Sequence, residues 1–165
     1  MPTEETPMIH HMSIAAENPQ RVAAVLAELW NGHAYPFPMY PNSYIAFAGD
    51  SYGTAIEVYP LGSELVPGRP DLPDLRANRV PAHFTATHAA VSVPLEQQQI
   101  EQIAIREGWQ TLLGSRGPFF QVVEFWIENR VLLELLTPEM TEQYKNFSTP
   151  QNWEQLVLAA PLPSA

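Results

Sequence analysis

The chain contains an internal repeat built around two histidines and two glutamates. His11 and Glu57 are 46 residues apart (57 − 11), and His88 and Glu134 are separated by the same distance (134 − 88). One pair therefore maps onto the other by a shift of 77 residues (88 − 11 and 134 − 57). Each histidine opens a strand-like segment, and each glutamate lies near the end of another. A duplicated module that offers one imidazole and one carboxylate per copy can build a metal site from both copies.

The order of predicted elements repeats as well. Residues 8–16 alternate like a strand, and Asn18-Pro19 is typical of a helix start that Asn31-Gly32 would end. Three short strands then follow. Residues 83–93, a helix over 95–107 and three more strands repeat this order. The sequence thus predicts an α+β fold of two βαβββ modules, at 8–60 and 83–138.

Two segments lie outside this repeat. Residues 61–82 are rich in proline and carry several charges, which predicts an irregular linker between the modules. Residues 139–165 are expected to form a helical extension, with one helix over 138–147 and a second beginning at Thr149-Pro150. The last five residues are expected to fray.

The bulk composition excludes several function classes. The formal charge is −10, from 18 acidic and 8 basic residues, which argues against nucleic acid or an anionic membrane as a partner. There is no cysteine, so disulfides, thiolate nucleophiles and cysteine-ligated metal sites are excluded. We find no signal-peptide pattern and no apolar run near the roughly 20 residues needed to span a bilayer. These features predict a cytoplasmic protein.

Glu134 is the most informative single residue. It lies in the segment VLLELL over 131–136, which is apolar on both faces. A carboxylate in a buried strand is costly unless it holds a proton, binds a metal ion or meets a cationic partner. Glu57, in AIEVY over 55–59, has a milder version of the same surroundings.

Two imidazoles and two carboxylates suit a borderline divalent ion, namely Zn, Ni, Co, Fe or Mn. Such an ion can polarise a carbonyl group or activate a bound water, and Glu57 or Glu134 can double as the catalytic base. His10 faces away from His11 and is interpreted as structural. Arg69 and Arg116 are interpreted as loop cations that could meet an anionic substrate.

Three stretches carry a resemblance to a known family: residues 11–18 (HMSIAAEN), 88–93 (HAAVSV) and 131–136 (VLLELL). The chain resembles the vicinal oxygen chelate superfamily, which contains glyoxalase I, methylmalonyl-CoA epimerase, extradiol dioxygenases and bleomycin-resistance proteins. In glyoxalase I the metal ligands follow the order His, Glu, His, Glu, and the matching positions here are His11, Glu57, His88 and Glu134. The resemblance covers roughly residues 8–138.

This resemblance implies a cupped, half-barrel mixed sheet with the helices on its outside and one site for a small-molecule substrate. It also implies a possible homodimer, because the modules of this superfamily pair either within one chain or between chains. Many members have Asp-Pro-Asp-Gly before the last strand, whereas this chain has Ile127-Glu-Asn-Arg130. That departure bears on the shape of the pocket and hence on the substrate.

Three functions follow as alternatives. The first is a metal-dependent lyase or isomerase similar to glyoxalase I, acting on a small oxygenated substrate. The second is an extradiol-type dioxygenase, for which two histidines and one carboxylate are the usual iron ligands. The third is a metal-free protein that binds or sequesters a small molecule. The fold by itself does not choose among them.

Overall fold

The computed structural model describes residues 7–70 and 72–159, without the side chains of Arg69 and Leu72. The chain divides into two compact units. Among the described residues, the first consists of 7–70, 72–87 and 127–131, and the second of 88–126 and 132–159. Within the described residues, no helix is both long enough and apolar enough to cross a membrane.

The first unit contains a four-stranded mixed sheet with the strand order β1-β4-β3-β2. β1 and β4 are parallel, while β3 is antiparallel to both of its neighbours. β2 lies at the edge of the sheet, where its Pro36 leaves no gap in a central ladder. The elements are β1 (His11–Ala16), α1 (Pro19–Trp30), β2 (His33–Pro36), β3 (Tyr44–Phe47) and β4 (Ala55–Pro60).

Helix α1 begins and ends where the sequence predicted. The Asn18 side chain accepts a hydrogen bond of 3.0 Å from the backbone N–H of Arg21, and Pro19 occupies the first turn. Asn31 ends the helix in the left-handed conformation, with φ of 53°. The buried face of α1 packs on the sheet through Val22, Ala23, Val25, Leu26, Ala27 and Leu29.

The segment 61–82 is not an irregular linker throughout. It contains an antiparallel two-stranded sheet formed by β5 (Ser63–Arg69) and β6 (Leu72–Ala77). The pairing shifts register between Val66 and Arg69, where the chain reads Val-Pro-Gly-Arg. Proline has no backbone N–H and cannot donate a hydrogen bond to a neighbouring strand. At a bulge the regular pairing is interrupted, so the hairpin can contain the proline there.

The second unit repeats the architecture with the strand order β7-β10-β9-β8, and its first and last strands are again parallel. The predicted α+β class with two βαβββ modules is therefore confirmed. Two helices follow the sheet, and the last five residues, expected to fray, lie outside the described part of the chain. The elements are β7 (Ala89–Ser92), α2 (Gln97–Glu107), β8 (Gln110–Arg116), β9 (Phe120–Ile127), β10 (Val131–Leu136), α3 (Pro138–Phe147) and α4 (Pro150–Ala159).

The strand predicted over 83–93 is shorter than expected and begins only at Ala89. The ladder explains this difference, because the pairing of β10 with β7 starts at Leu133 opposite Ala89. Upstream, the Arg130 guanidinium donates hydrogen bonds to the carbonyl oxygens of Ala82 and His83. These backbone groups are satisfied by a side chain rather than by a neighbouring strand.

The turn between β9 and β10 supports the start of α1. Glu128 and Asn129 both have positive φ, 50° and 56°, as a tight hairpin turn requires. The Glu128 carboxylate accepts hydrogen bonds of 2.6 Å and 2.8 Å from the backbone N–H groups of Glu17 and Asn18. All of these residues belong to the first unit.

We expect Gly32→Ala to destabilise the protein. A Cβ at residue 32 would overlap the carbonyl oxygen of Phe47 in β3, so the link between α1 and the sheet would have to shift. Urea denaturation should show a loss of about 1–3 kcal/mol in the free energy of unfolding. The neighbouring control Asn31→Gly keeps the left-handed helix end and should not lower stability. An equal loss in both variants would contradict this explanation.

Candidate functional site

The strand registers reproduce the repeat in three dimensions. In the first unit Ser13 of β1 lies opposite Glu57 of β4. In the second unit Ala90 of β7 lies opposite Glu134 of β10. The shift of 77 residues converts one pair into the other (13 + 77 and 57 + 77). Each glutamate is therefore placed in the same way within its own sheet.

In the first unit, a histidine and a glutamate lie close together. The distance from His11 Nε2 to Glu57 Oε1 is 3.8 Å, and the imidazole is mostly exposed whereas the carboxylate is mostly buried. The other carboxylate oxygen, Oε2, accepts hydrogen bonds from Ser13 Oγ at 3.0 Å and from Tyr59 Oη at 2.7 Å. Glu57 is thus fixed through one oxygen and presents the other to His11.

Tyr59 links Glu57 to an aromatic cluster. Its ring makes edge contacts with Phe37 and Tyr40, and Tyr40 Oη donates a hydrogen bond of 2.8 Å to the carbonyl oxygen of Pro73 in β6. Burial, and next the hydrogen bond to Glu57, raises the pKa of the Tyr59 phenol above its usual value. The phenol therefore stays a hydrogen-bond donor to the carboxylate at neutral pH.

The first unit contains a cavity of about 350 Å³. Its volume lies at the lower end of the range typical of small-molecule sites. His11 and Glu57 do not line it, but Ser13 does, and the Ser13 hydroxyl donates a hydrogen bond to Glu57. Its lining includes the polar residues Ser13, Ser63, Glu64, Asn78, His83, Thr85, Thr87 and Arg130.

In the second unit, an arginine occupies the position next to the glutamate. Arg116 Nε donates a 3.0 Å hydrogen bond to Glu134 Oε1, and Nη2 contacts the same oxygen. Nη2 also donates to Glu124 Oε1 at 3.0 Å. These contacts raise the pKa of Arg116, with the hydrogen bond to Glu134 as the largest cause. Arg116 ends strand β8 and is paired, so its interpretation as a loop cation was wrong.

A glycine makes room for this arginine. A Cβ at Gly114 would lie 2.8 Å from Arg116 Nη1 and 3.2 Å from Glu124 Oε1. Since β8 has no side chain at this position, the guanidinium can lie across the face of the sheet towards β9 and β10. We refer to Arg116, Glu124 and Glu134 as the arginine triad.

The four residues predicted as ligands thus differ in their surroundings. His11 and Glu57 are adjacent, Glu134 is bound by Arg116, and His88 is an exposed residue just before β7. Neither unit gathers three or more His, Asp or Glu side chains into a metal-ligand cluster within residues 7–70 and 72–159. The His11–Glu57 pair offers two donor groups to a divalent ion, whereas Oε1 of Glu134 is already held by Arg116.

Four residues of these clusters were absent from the predicted site: Ser13, Tyr59, Gly114 and Glu124. Two of them could have been predicted from i, i+2 spacing in a strand. Ser13 shares a strand face with His11, and Tyr59 shares one with Glu57. Gly114 and Glu124 acquire their role only through the pairing of β8 with β9, which the sequence does not state.

The fold is similar to several solved structures at low sequence identity. The fosfomycin resistance protein FosX from Listeria monocytogenes, complexed with Mn(II) and sulfate, has 13% identity and a TM-score of 0.54, covering 87% of this chain and 98% of its own. A glyoxalase family protein from Bacillus anthracis has 14% identity and a TM-score of 0.52, covering 81% and 96%. The trypanothione-dependent glyoxalase I from Leishmania major has 12% identity and a TM-score of 0.51, covering 93% and 100%.

No protein-family model and no curated protein sequence matches the chain. The structural likeness nevertheless shows that the chain shares the fold of these three proteins. At these identities the likeness concerns the fold.

Tyr59→Phe should change how stability depends on pH. Tyrosine in an unfolded chain titrates near pH 10, whereas folded Tyr59 keeps its proton to higher pH. The contribution of protonated Tyr59 to the free energy of unfolding is therefore complete below about pH 10 and is lost as the pH rises further. Denaturation of the variant should show a loss of about 1 kcal/mol at pH 8 and a shallower decline above pH 10.

The matched control for this experiment is Tyr35→Phe, because Tyr35 is a half-exposed residue of edge strand β2. It should retain the alkaline decline of the unmodified protein. If the stability of Tyr59→Phe declines as steeply above pH 10 as that of the unmodified protein, then burial and the contact with Glu57 do not raise the pKa of the Tyr59 phenol.

Proposed function

We propose that the chain is a glyoxalase-like enzyme, a lyase or isomerase that acts on a small oxygenated substrate with the help of one divalent transition metal ion. The proposed ligands are His11, Glu57, His88 and Glu134, and the candidate metals are Zn, Ni, Co, Fe and Mn. The His11–Glu57 pair is the observation that carries this proposal. An exposed imidazole and a mostly buried, firmly positioned carboxylate face each other at 3.8 Å, and the carboxylate is hydrogen-bonded to Ser13, which lines a cavity.

The residues around Glu57 determine what this carboxylate can do. Ser13 and Tyr59 hold Oε2, so Oε1 is the oxygen directed towards His11 and available for a ligand or a proton. A bound divalent ion would supply Lewis acidity to polarise a substrate carbonyl group. Glu57 is better placed than Glu134 to act as the catalytic base, because Glu134 is held by a guanidinium.

The similar structures support this choice of metal and chemistry. One FosX structure contains Mn(II), and the Leishmania major protein is a glyoxalase I. Mn(II) is therefore a suitable first probe. A cytoplasmic location and a homodimer stay predictions for this chain.

A second function is favoured by the arginine triad. Because Arg116 already neutralises Glu134, the second unit needs no metal ion to stabilise its carboxylates. A metal-free protein that binds a small molecule in the 350 Å³ cavity would be compatible with this arrangement. Such a protein would bind its ligand equally well before and after treatment with a chelator.

Metal binding by the variants His10→Ala and His11→Ala distinguishes the metal-dependent enzyme from the metal-free binding protein. His10 Nδ1 lies 2.7 Å from the carbonyl oxygen of Tyr52, away from Glu57, so His10→Ala is a control with the same loss of one imidazole. We expect titration with Mn(II) to show binding in the unmodified protein and in His10→Ala. The variants His11→Ala and Glu57→Gln should bind at least about tenfold more weakly.

Equal Mn(II) binding by His10→Ala and His11→Ala would show that His11 is not a ligand. Binding of none of the five candidate metals by the unmodified protein would reject the metal-dependent enzyme and favour the metal-free binding protein. Circular dichroism of each variant, compared with the unmodified protein, distinguishes lost ligation from lost folding.

A further inference from the structure

A groove in the second unit lies between helix α3, helix α4 and the turn that joins β8 to β9. Its volume is about 600 Å³, which is within the range typical of small-molecule sites. The described residues that line it all belong to the second unit, whereas His11 and Glu57 belong to the first. The groove therefore shares no described residue with the His11–Glu57 pair.

The lining of this groove is polar without being charged. Among the described residues that line it, none is charged, although α3 and α4 carry charged side chains elsewhere. A carboxamide offers both donor and acceptor atoms. An ion would lose hydration here without meeting an opposite charge, so the lining favours a neutral ligand rich in hydrogen-bonding groups. The carboxamides of the lining are Gln143, Asn146, Asn152 and Gln155.

Two of these carboxamides are held in position by the backbone. Asn152 Nδ2 donates hydrogen bonds of 3.0 Å and 2.9 Å to the carbonyl oxygens of Asn146 and Phe147, at the end of α3. Gln143 Oε1 accepts a hydrogen bond of 3.1 Å from the backbone N–H of Gln121 in β9. The other end of each amide, Asn152 Oδ1 and Gln143 Nε2, takes no part in these bonds. A ligand bonded there would meet groups that are already ordered, which lowers the entropic cost of binding.

Two phenylalanine rings supply the apolar part of the lining. Phe119 and Phe147 stack on each other, with ring centroids 4.1 Å apart and planes inclined by 19°. This spacing leaves no slot between the two rings for a flat ligand. Phe119 is 42% exposed, so a ligand can cover part of its ring. The matching ligand has an apolar face for the ring and a polar rim for the amides.

We propose that this groove binds a neutral sugar. A pyranose ring has a face of C–H groups that packs on an aromatic ring, and the hydroxyl groups at its edge both donate and accept hydrogen bonds. It also carries no charge, as the lining requires. A flat heterocycle is the other neutral class, but it is commonly held between two side chains, and Phe119 and Phe147 leave no space between them.

The test is saturation-transfer difference NMR with the methyl glycosides of glucose, galactose and mannose, because this method detects weak binding. We expect transfer from the unmodified protein to at least one glycoside, and weaker transfer to glucuronate, whose charge finds no cation in the described lining. Phe119→Ala removes the ring on which the sugar packs and should weaken its binding about fivefold or more. Gln155→Ala removes one hydrogen-bonding group and should weaken it about threefold.

Two variants serve as matched controls. Gln151→Ala removes the same side chain as Gln155→Ala from an exposed position of α4 that does not line the groove. Phe84→Ala removes an exposed phenylalanine ring from the first unit. Neither variant should change the affinity for the glycoside. A loss in Gln151→Ala as large as that in Gln155→Ala would contradict a contact between Gln155 and the sugar.

The remaining outcomes decide the proposal. Absence of transfer to every methyl glycoside would overturn it, and so would equal affinity in Phe119→Ala and the unmodified protein. Transfer to caffeine, a flat neutral heterocycle, but to no glycoside would also overturn it and assign the groove to the other class. None of these outcomes bears on Mn(II) binding at His11 and Glu57, so failure of this proposal is distinct from failure of the proposed function.

Discussion

The structure depends on how each half of the repeat accommodates a carboxylate within an apolar strand. Only 13% of the Glu134 side chain and 14% of the Glu57 side chain are exposed, and an unpaired charge buried to this extent costs several kcal/mol. The two glutamates occupy equivalent places in their sheets, yet they are satisfied in different ways.

The difference follows from residues at equivalent positions. The shift of 77 residues places Ala90 at the position of Ser13 and Leu136 at the position of Tyr59, so the second half lacks both hydroxyl donors. Glu134 therefore takes its donors from Arg116, which reaches it across β9. Neutral donors leave one oxygen of Glu57 facing His11, whereas the guanidinium occupies Glu134. This asymmetry makes the first unit the better half of the candidate metal site.

Sequence reasoning was most successful where structure is decided locally. The start of α1 at Asn18 and its end at Asn31 depend on capping and on backbone preference. The hairpin over 63–77 was missed because its prolines and charges resemble those of a loop, and its bulge hides the alternation. The strand at 83–93 was predicted too long because its length depends on the partner strand. Arg116 was misplaced because its role requires the registers of three strands.

The central claim is that a divalent metal ion binds at the His11–Glu57 pair. Anomalous diffraction from crystals soaked with Mn(II) tests it directly. The account predicts one peak within bonding distance of His11 Nε2 and Glu57 Oε1. A map with no peak beside His11 and Glu57 would contradict it.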